Sequence, residues 1–191
     1  SINSHNPTAM QTLKQKTLLN PLQIDITLKR LCCQLLENHS GFEDSVLIGL
    51  QPRGVYFANR VVDLLIDHFG ERKVPYGKLD TTFFRDDFRR GEKPLKANST
   101  QIDFLVEDKR VVFIDDVLYT GRSINAALTA IQSFGRPKSV ELLTLIDRRF
   151  SRHLPIQPDY SGYRVDAIAG SKVKVSWKET DGKDAVLIIH E

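Results

Sequence analysis

The chain has almost no sulfur chemistry to offer, because its only cysteines, Cys32 and Cys33, are adjacent. Neighbours inside a helical pattern point apart, so the pair suits neither a structural disulfide nor a metal site. Reduced thiols of this kind belong to a cytoplasmic protein. Long apolar runs are missing as well: nothing approaches the roughly 18 residues of a membrane span, and no signal-peptide pattern opens the chain. Nor is there an excess of one charge, since 27 Lys and Arg against 24 Asp and Glu leave a net +3. So mild a basic balance fits a polyanionic small ligand as well as nucleic acid and does not choose between them. Internal repeats are absent too. A length of 191 residues therefore reads as one domain able to bury an adequate core. We expect residues 1–20 to be an N-terminal tail and residues 21–191 the domain. The only methionine, Met10, is read as a native start after a remnant of expression.

What is present is an alternation of helical and strand-like patterns. Residues 22–36 carry Ile24, Leu28, Leu31, Leu35 and Leu36 at helical spacing, with Pro21 where a first turn tolerates proline. Residues 45–50 read as a buried strand and 54–69 as a second helix. A strand is expected within 74–84, another over 111–115, a helix over 123–134 and a strand over 140–146. Short β-rich pieces follow at 163–167, 173–177 and 185–189. Strands alternating with helices imply an α/β fold with a mostly parallel sheet, whose ligands gather beyond the carboxyl ends of the strands. Three loops have that address: 51–54, 85–101 and 115–123.

The last of these is the most informative. The apolar run Val111-Val112-Phe113-Ile114 ends in Asp115-Asp116, and Thr120-Gly121-Arg122-Ser123 then leads into a helix. A helix N-terminus offers free N–H groups and the positive end of a dipole to a phosphate. Gly121 permits the tight turn, Thr120 and Ser123 add hydroxyl donors, and Arg122 adds charge. Asp115 and Asp116 suit a ribose diol or a hydrated magnesium ion, both of which take oxygen ligands. An isolated Asp-Asp would be an ordinary acidic turn, but with Thr-Gly-Arg-Ser at this spacing a sugar-phosphate site is the better account.

The loop Gln51-Pro52-Arg53-Gly54 is a second anion candidate, with Arg53 for bidentate phosphate contact and Gly54 for close backbone approach. Alone it would be a turn. The stretch 85–101 holds Arg85-Asp86-Asp87 and then Arg89, Arg90, Lys93 and Lys96 without apolar period. It reads either as a solvated charged loop or as a cationic lid that excludes water over an anionic substrate.

From residue 22 to 191 the chain resembles the type I phosphoribosyltransferases, and within them the bifunctional pyrimidine operon attenuator/uracil phosphoribosyltransferases. The resemblance rests on Arg53-Gly54-Val55-Tyr56, Phe84-Arg85-Asp86-Asp87, Leu154-Pro155-Ile156, Asp159-Tyr160 and above all Asp115-Asp116-Val117-Leu118-Tyr119-Thr120-Gly121-Arg122. It implies a central, mostly parallel sheet flanked by helices, with a small β-rich hood and a flexible lid. It implies the reaction of uracil with phosphoribosyl pyrophosphate (PRPP) and Mg²⁺ to give UMP and pyrophosphate. In that scheme Arg53 and Arg85 stabilise the departing pyrophosphate, with Pro52, Gly54 and Asp86 as further substrate contacts. Asp115 and Asp116 hold the ribose hydroxyls and meet the metal only through those hydroxyls or water. Tyr119, Thr120, Gly121, Arg122 and Ser123 grip the 5′-phosphate, and the base rests near Val165, within 165–171. The pyrophosphate loop of the family often contains a cis peptide, expected here at Gln51–Pro52.

The choice of base turns on Tyr119. Purine-salvage relatives carry an aspartate there for proton exchange with the ring, and a phenol is a poor substitute at neutral pH. That favours uracil, while Pro158-Asp159-Tyr160-Ser161-Gly162 is shared with hypoxanthine enzymes and keeps a hypoxanthine or guanine reading open. The resemblance also implies binding to a pyrimidine mRNA leader through Lys29, Arg30, Arg152 and Arg164. Cys33 and Tyr163 stand where that pattern has a histidine and a lysine. A non-catalytic, nucleotide-sensing RNA-binding regulator is the alternative of a different class. The family suggests homo-oligomers, dimers or tetramers.

Overall fold

The computed structural model describes residues 14–85, 99–166 and 170–190. In chain order its elements are β1 Lys14–Leu19, α1 Pro21–Asn38, β2 Ser45–Leu50, α2 Gly54–Asp63, β3 Tyr76–Leu79, β4 Arg110–Leu118, α3 Arg122–Ile131, β5 Ser139–Arg149, β6 Tyr160–Asp166, β7 Ser171–Ser176, α4 Lys178–Asp181 and β8 Ala185–His190. Two sheets result. The larger is five-stranded in the order β3-β2-β4-β5-β6, and every pairing in it is parallel. The smaller is an antiparallel sheet in the order β1-β8-β7, the β-rich hood.

The parallel sheet is covered on both faces, which is why β2 is buried at every position and β4 reads as a continuous apolar run. On one face α1 and α2 contribute Leu28, Leu31, Leu35, Phe57 and Val61, closed off by Trp177 of the hood. On the other, α3 packs Ile124, Ala127 and Ile131 against Val46, Ile48 and Phe113. A reciprocal cap starts α1: the Asn20 side chain accepts from the Gln23 N–H at 2.8 Å, and Gln23 accepts from the Asn20 N–H at 2.9 Å. Among the described residues no helix is long and apolar enough to cross a membrane.

Several boundaries differ from the sequence expectation, each for a local reason. The expected tail through residue 20 is corrected, because β1 pairs with β8 from Lys14↔His190 onward. Its mostly exposed KQKTLL has no alternation to betray it; backbone pairing, not burial, makes it a strand. The second helix does span its expected 54–69, because it runs on past α2 through a π-helical turn, with the Phe69 N–H donating to Leu64 O at 3.0 Å. The strand expected within 74–84 is there as β3, which ends at Leu79. There the Asp80 carboxylate accepts from the Thr82 N–H at 3.1 Å and its hydroxyl at 2.7 Å and turns the chain away. In contrast, β5 outlasts its apolar run, because buried Asp147 and Arg148 find partners in Arg152 and Ser171.

Candidate active site

The carboxyl end of the parallel sheet brings two of the three expected loops together. Strand β4 delivers Asp115 and Asp116, and the chain turns through Gly121, whose φ of +91° suits glycine, into the first turn of α3. The Thr120 hydroxyl accepts from the Arg122 N–H at 3.3 Å within this turn. A cavity of about 220 Å³ opens over the turn, lined by Arg85, Asp115, Thr120, Arg122 and Ser123 among others. The Gln51–Pro52 bond is cis, as expected. Gly54 follows where no side chain fits: a Cβ there would lie 2.6 Å from Ile114 O and 3.0 Å from Asp115 Oδ1. Helix α2 can thus begin directly against the carboxylate-bearing end of β4.

Both carboxylates are held in an unfavourable state. Asp116 is 6% exposed, and Asp115 Oδ1 accepts from the Asp116 N–H at 2.9 Å. Burial pushes the Asp115 carboxyl well above the usual carboxylate range, and the Asp116 charge adds to this while Arg85 opposes it. Burial raises Asp116 too, against the pull of Arg53, whose Nε lies 4.0 Å from Asp116 Oδ2. The pair titrates as a unit and does not readily carry two charges. A ligand that brings hydroxyl donors or a cation relieves that repulsion. Among the described residues no three His, Cys, Asp or Glu side chains cluster as a cation cage. The paired carboxylates are oxygen donors, the chemistry that a magnesium ion accepts.

A second depression, about 380 Å³, lies between the sheets and is lined by Arg53, Asp116, Lys172, Lys174 and Val175. Arg53 ties them by donating from Nη2 to Val175 O at 2.6 Å. Another depression, about 630 Å³, lies at the opposite end of α3, lined by Glu107, Ile131, Arg136 and Val140 among others, away from the carboxylates.

The remaining expected residues fall in different places. Arg85 lines the phosphate cavity, whereas Asp86 and most of the expected lid, 86–98, lie outside the described residues. The return of that loop is fixed to β3, Lys78 and Gln101 exchanging backbone hydrogen bonds at 2.8 and 2.9 Å. Val165 is buried and pairs with Arg148, while residues 167–169 of the expected base-binding segment lie outside the described residues. Tyr119 is 49% exposed, and the Arg148 guanidinium lies 4.2 Å from its ring centre. Lys29 pairs with Asp25 at 2.9 Å, Arg30 donates to the carbonyls of Ser161 and Gly162 on β6, and Arg164 is exposed on the same strand. Arg152, expected at an RNA surface, has a side chain that is 13% exposed and bonded inward.

Two residues escaped the sequence reading. His153 lines the phosphate cavity and accepts from Arg122 Nε at Nδ1, 3.1 Å away. Arg148, 9% exposed, lies between Tyr119 and the hood, its Nη2 donating to Ser171 O at 3.0 Å. Both sit in the basic run 148–153, where position in the fold, not residue type, separates site from surface.

A family model described as "Phosphoribosyl transferase domain" matches residues 14–180. The chain belongs to the phosphoribosyltransferase family. Within it, the similar curated proteins are PyrR proteins. One from Desulfosudis oleivorans, named "Bifunctional protein PyrR", is 42% identical over 180 residues, covering 94% of this chain and 98% of its own. One from a Synechocystis strain is 41% identical over 172 residues, covering 90% and 95%. The chain belongs to this PyrR branch. Solved structures agree on the fold. A hypoxanthine phosphoribosyltransferase from Staphylococcus aureus superposes with a TM-score of 0.67 at 20% identity, over 94% of this chain and 92% of that one. A hypoxanthine phosphoribosyl transferase from Trypanosoma cruzi gives 0.70 at 16%, over 97% and 95%. The architecture is the type I phosphoribosyltransferase fold.

Proposed function

We propose that the chain is a single phosphoribosyltransferase domain that converts uracil and PRPP to UMP and pyrophosphate in the cytoplasm, with Mg²⁺. The observation that carries this reading is one continuous feature: a carboxylate pair at the end of β4, Asp116 buried and Asp115 half-buried, followed within a few residues by an anion-ready helix start that lines the same cavity. Thr120, Gly121, Arg122 and Ser123 hold the 5′-phosphate with hydroxyls, backbone N–H groups and one guanidinium. Asp115 and Asp116 accept from the ribose hydroxyls and stabilise positive charge as the ring becomes oxocarbenium-like. Arg53, with Pro52 and Gly54, receives the departing pyrophosphate, assisted by Arg85 and Asp86. Asp115 and Asp116 would hold a magnesium ion indirectly, through ribose hydroxyls or water, and the ion would supply charge neutralisation for the pyrophosphate. The base enters between Tyr119, Val165 and the hood.

Uracil is favoured by the PyrR branch and by Tyr119, which puts a phenol under Arg148 where a purine enzyme needs a carboxylate. A second activity, binding of an mRNA leader, is supported by Arg30 and Arg164 on neighbouring exposed positions of α1 and β6, with Lys29 alongside. The same face exposes Leu22 and Ile26, at 67% and 59%, which supports assembly into dimers or tetramers.

Pyrophosphate release from PRPP and Mg²⁺, measured with uracil, hypoxanthine, guanine and orotate in turn, tests the reading. Release with uracil alone is expected. Release with a purine moves the chain to base salvage of the other kind. No release with any base, together with tight UMP binding, makes it a nucleotide-sensing regulator.

A further inference from the structure

Four consecutive residues of the phosphate turn are each held by one short segment, residues 152–156. Tyr119 O accepts from Arg152 Nη1 at 2.7 Å, and Thr120 O accepts from the His153 N–H at 2.9 Å. Gly121 lies against Ile156, whose Cδ1 would be 3.3 Å from a Cβ at that position. Arg122 Nε donates to His153 Nδ1 at 3.1 Å. Arg152 fixes the segment itself: Nε donates to Ile156 O at 2.8 Å, Nη1 also reaches Arg148 O at 3.1 Å, and Nη2 pairs with Asp147. The side chains of that pair are 13% and 3% exposed. Each guanidinium nitrogen therefore has an acceptor inside the protein. A cation used in this way is not presented to an RNA backbone.

We propose that residues 152–156 form a strap that sets the shape of the phosphate turn, with Arg152 as its positioning residue. The inference rests on the reading of that turn as the 5′-phosphate site. A turn can aim its N–H groups at a phosphate only while its carbonyls face away and find donors there. Arg152 and the His153 N–H are those donors, so the strap stabilises the phosphate-binding shape before any ligand arrives. Arginine suits the role because one planar fork serves several acceptors, whereas a lysine is a point charge.

Two variants test this without stranding a buried charge. Arg152→Lys keeps a cation beside Asp147, and Arg152→Met combined with Asp147→Asn removes both charges. In the ligand-free protein, amide exchange at His153 should quicken about tenfold, the scale of losing the support of one or two hydrogen bonds. The amide resonances of Gly121 and Arg122 should move while those of β2 stay. The KM for PRPP should rise about tenfold with kcat within about twofold, because positioning acts on binding of the phosphate. Inhibition by added pyrophosphate should be unchanged. Wild-type exchange at His153 and unmoved turn resonances in both folded variants overturn the strap. So does lost affinity for an RNA leader with exchange and KM unchanged, which returns Arg152 to an RNA surface. Amide exchange requires no turnover, so a wild-type chain that makes no UMP counts against the enzyme reading and leaves the test of the strap intact.

Discussion

The two loops proposed to bind anions at the carboxyl end of the sheet are built in opposite ways. The proposed phosphate turn after β4 is finished without a ligand: its glycine is in the left-handed region, the Thr120 hydroxyl accepts from the Arg122 N–H, and its carbonyls are satisfied by Arg152 and His153. The pyrophosphate loop after β2 is unfinished. Its backbone is fixed by the Gln51 N–H on Leu79 O at 3.0 Å, but Arg53 points elsewhere, donating to Val175 O and leaning toward Asp116. Receiving pyrophosphate requires Arg53 to exchange those partners for the ligand. The difference teaches where binding energy is used. In the proposed reaction the phosphate end would anchor the substrate as it stands, and the leaving-group end would reorganise as charge develops. Changes at the turn should therefore act on KM, and changes at the loop on kcat.

The sharpest test of that division is also the largest effect expected. Arg53→Ala and Asp116→Asn should each lower kcat for UMP formation by about 10²–10³, the usual loss when one electrostatic partner of a transition state is removed. Initial rates at saturating PRPP measure it. A loss confined to KM at Arg53 would break the comparison, because the loop would then be an anchor like the turn.

The glycines separate the loops next. Gly54→Ala brings a Cβ to 2.6 Å from Ile114 O, backbone that cannot move aside cheaply, so a loss of ~1–3 kcal/mol in stability is expected together with lost activity. Gly121→Ala meets no such wall, its nearest neighbour being the flexible end of Ile156 at 3.3 Å. It carries only the left-handed strain of ~1–2 kcal/mol, read as a raised KM for PRPP with kcat largely kept. Thermal melts beside kinetics distinguish the two. Equal effects would say that both loops are packed alike.

The same contrast explains what the sequence made legible. The turn after β4 is a local device: strand, carboxylates, glycine and helix start lie within residues 111–123, so periodicity and residue type sufficed to predict its strand–turn–helix form and the parallel sheet that presents it. The strap was not legible, because Arg152 meets Tyr119 only when β5 outruns its apolar core and the chain doubles back. Residue type alone made that arginine look like surface charge. Strand β1 was hidden for a related reason. An edge strand with an exposed KQKTLL has its partner, β8, at the far end of the chain, and no local pattern records that pairing.

The carboxylate pair yields a smaller effect of opposite sign. Because burial raises Asp115 above its ordinary 3.8, folded and unfolded chains are both protonated well below pH 4 and no penalty applies. As pH rises from there to the raised folded value, the unfolded state releases its proton first, and stability falls until the folded group also ionises. Asp115→Asn removes that term. The ligand-free variant should melt higher than wild type at pH 7, by about 2–4 °C for ~1 kcal/mol, and the gap should close toward pH 4. PRPP with Mg²⁺ should raise the wild-type melting temperature more than the variant's. A variant less stable at every pH would mean that the carboxylate is holding the fold together instead of waiting for the ribose.

Tyr119→Phe should do least, less than about a twofold change in kcat/KM with uracil, since what the turn requires of this residue survives the substitution. Its carbonyl still accepts from Arg152, and its ring still lies under Arg148, a cation–π contact that phenylalanine also makes. A drop of more than about tenfold would instead assign the hydroxyl a proton in the transition state. The residue at this position would then be chemical, as in the purine reading, and the division between an anchoring turn and a reacting loop would run through Tyr119 itself.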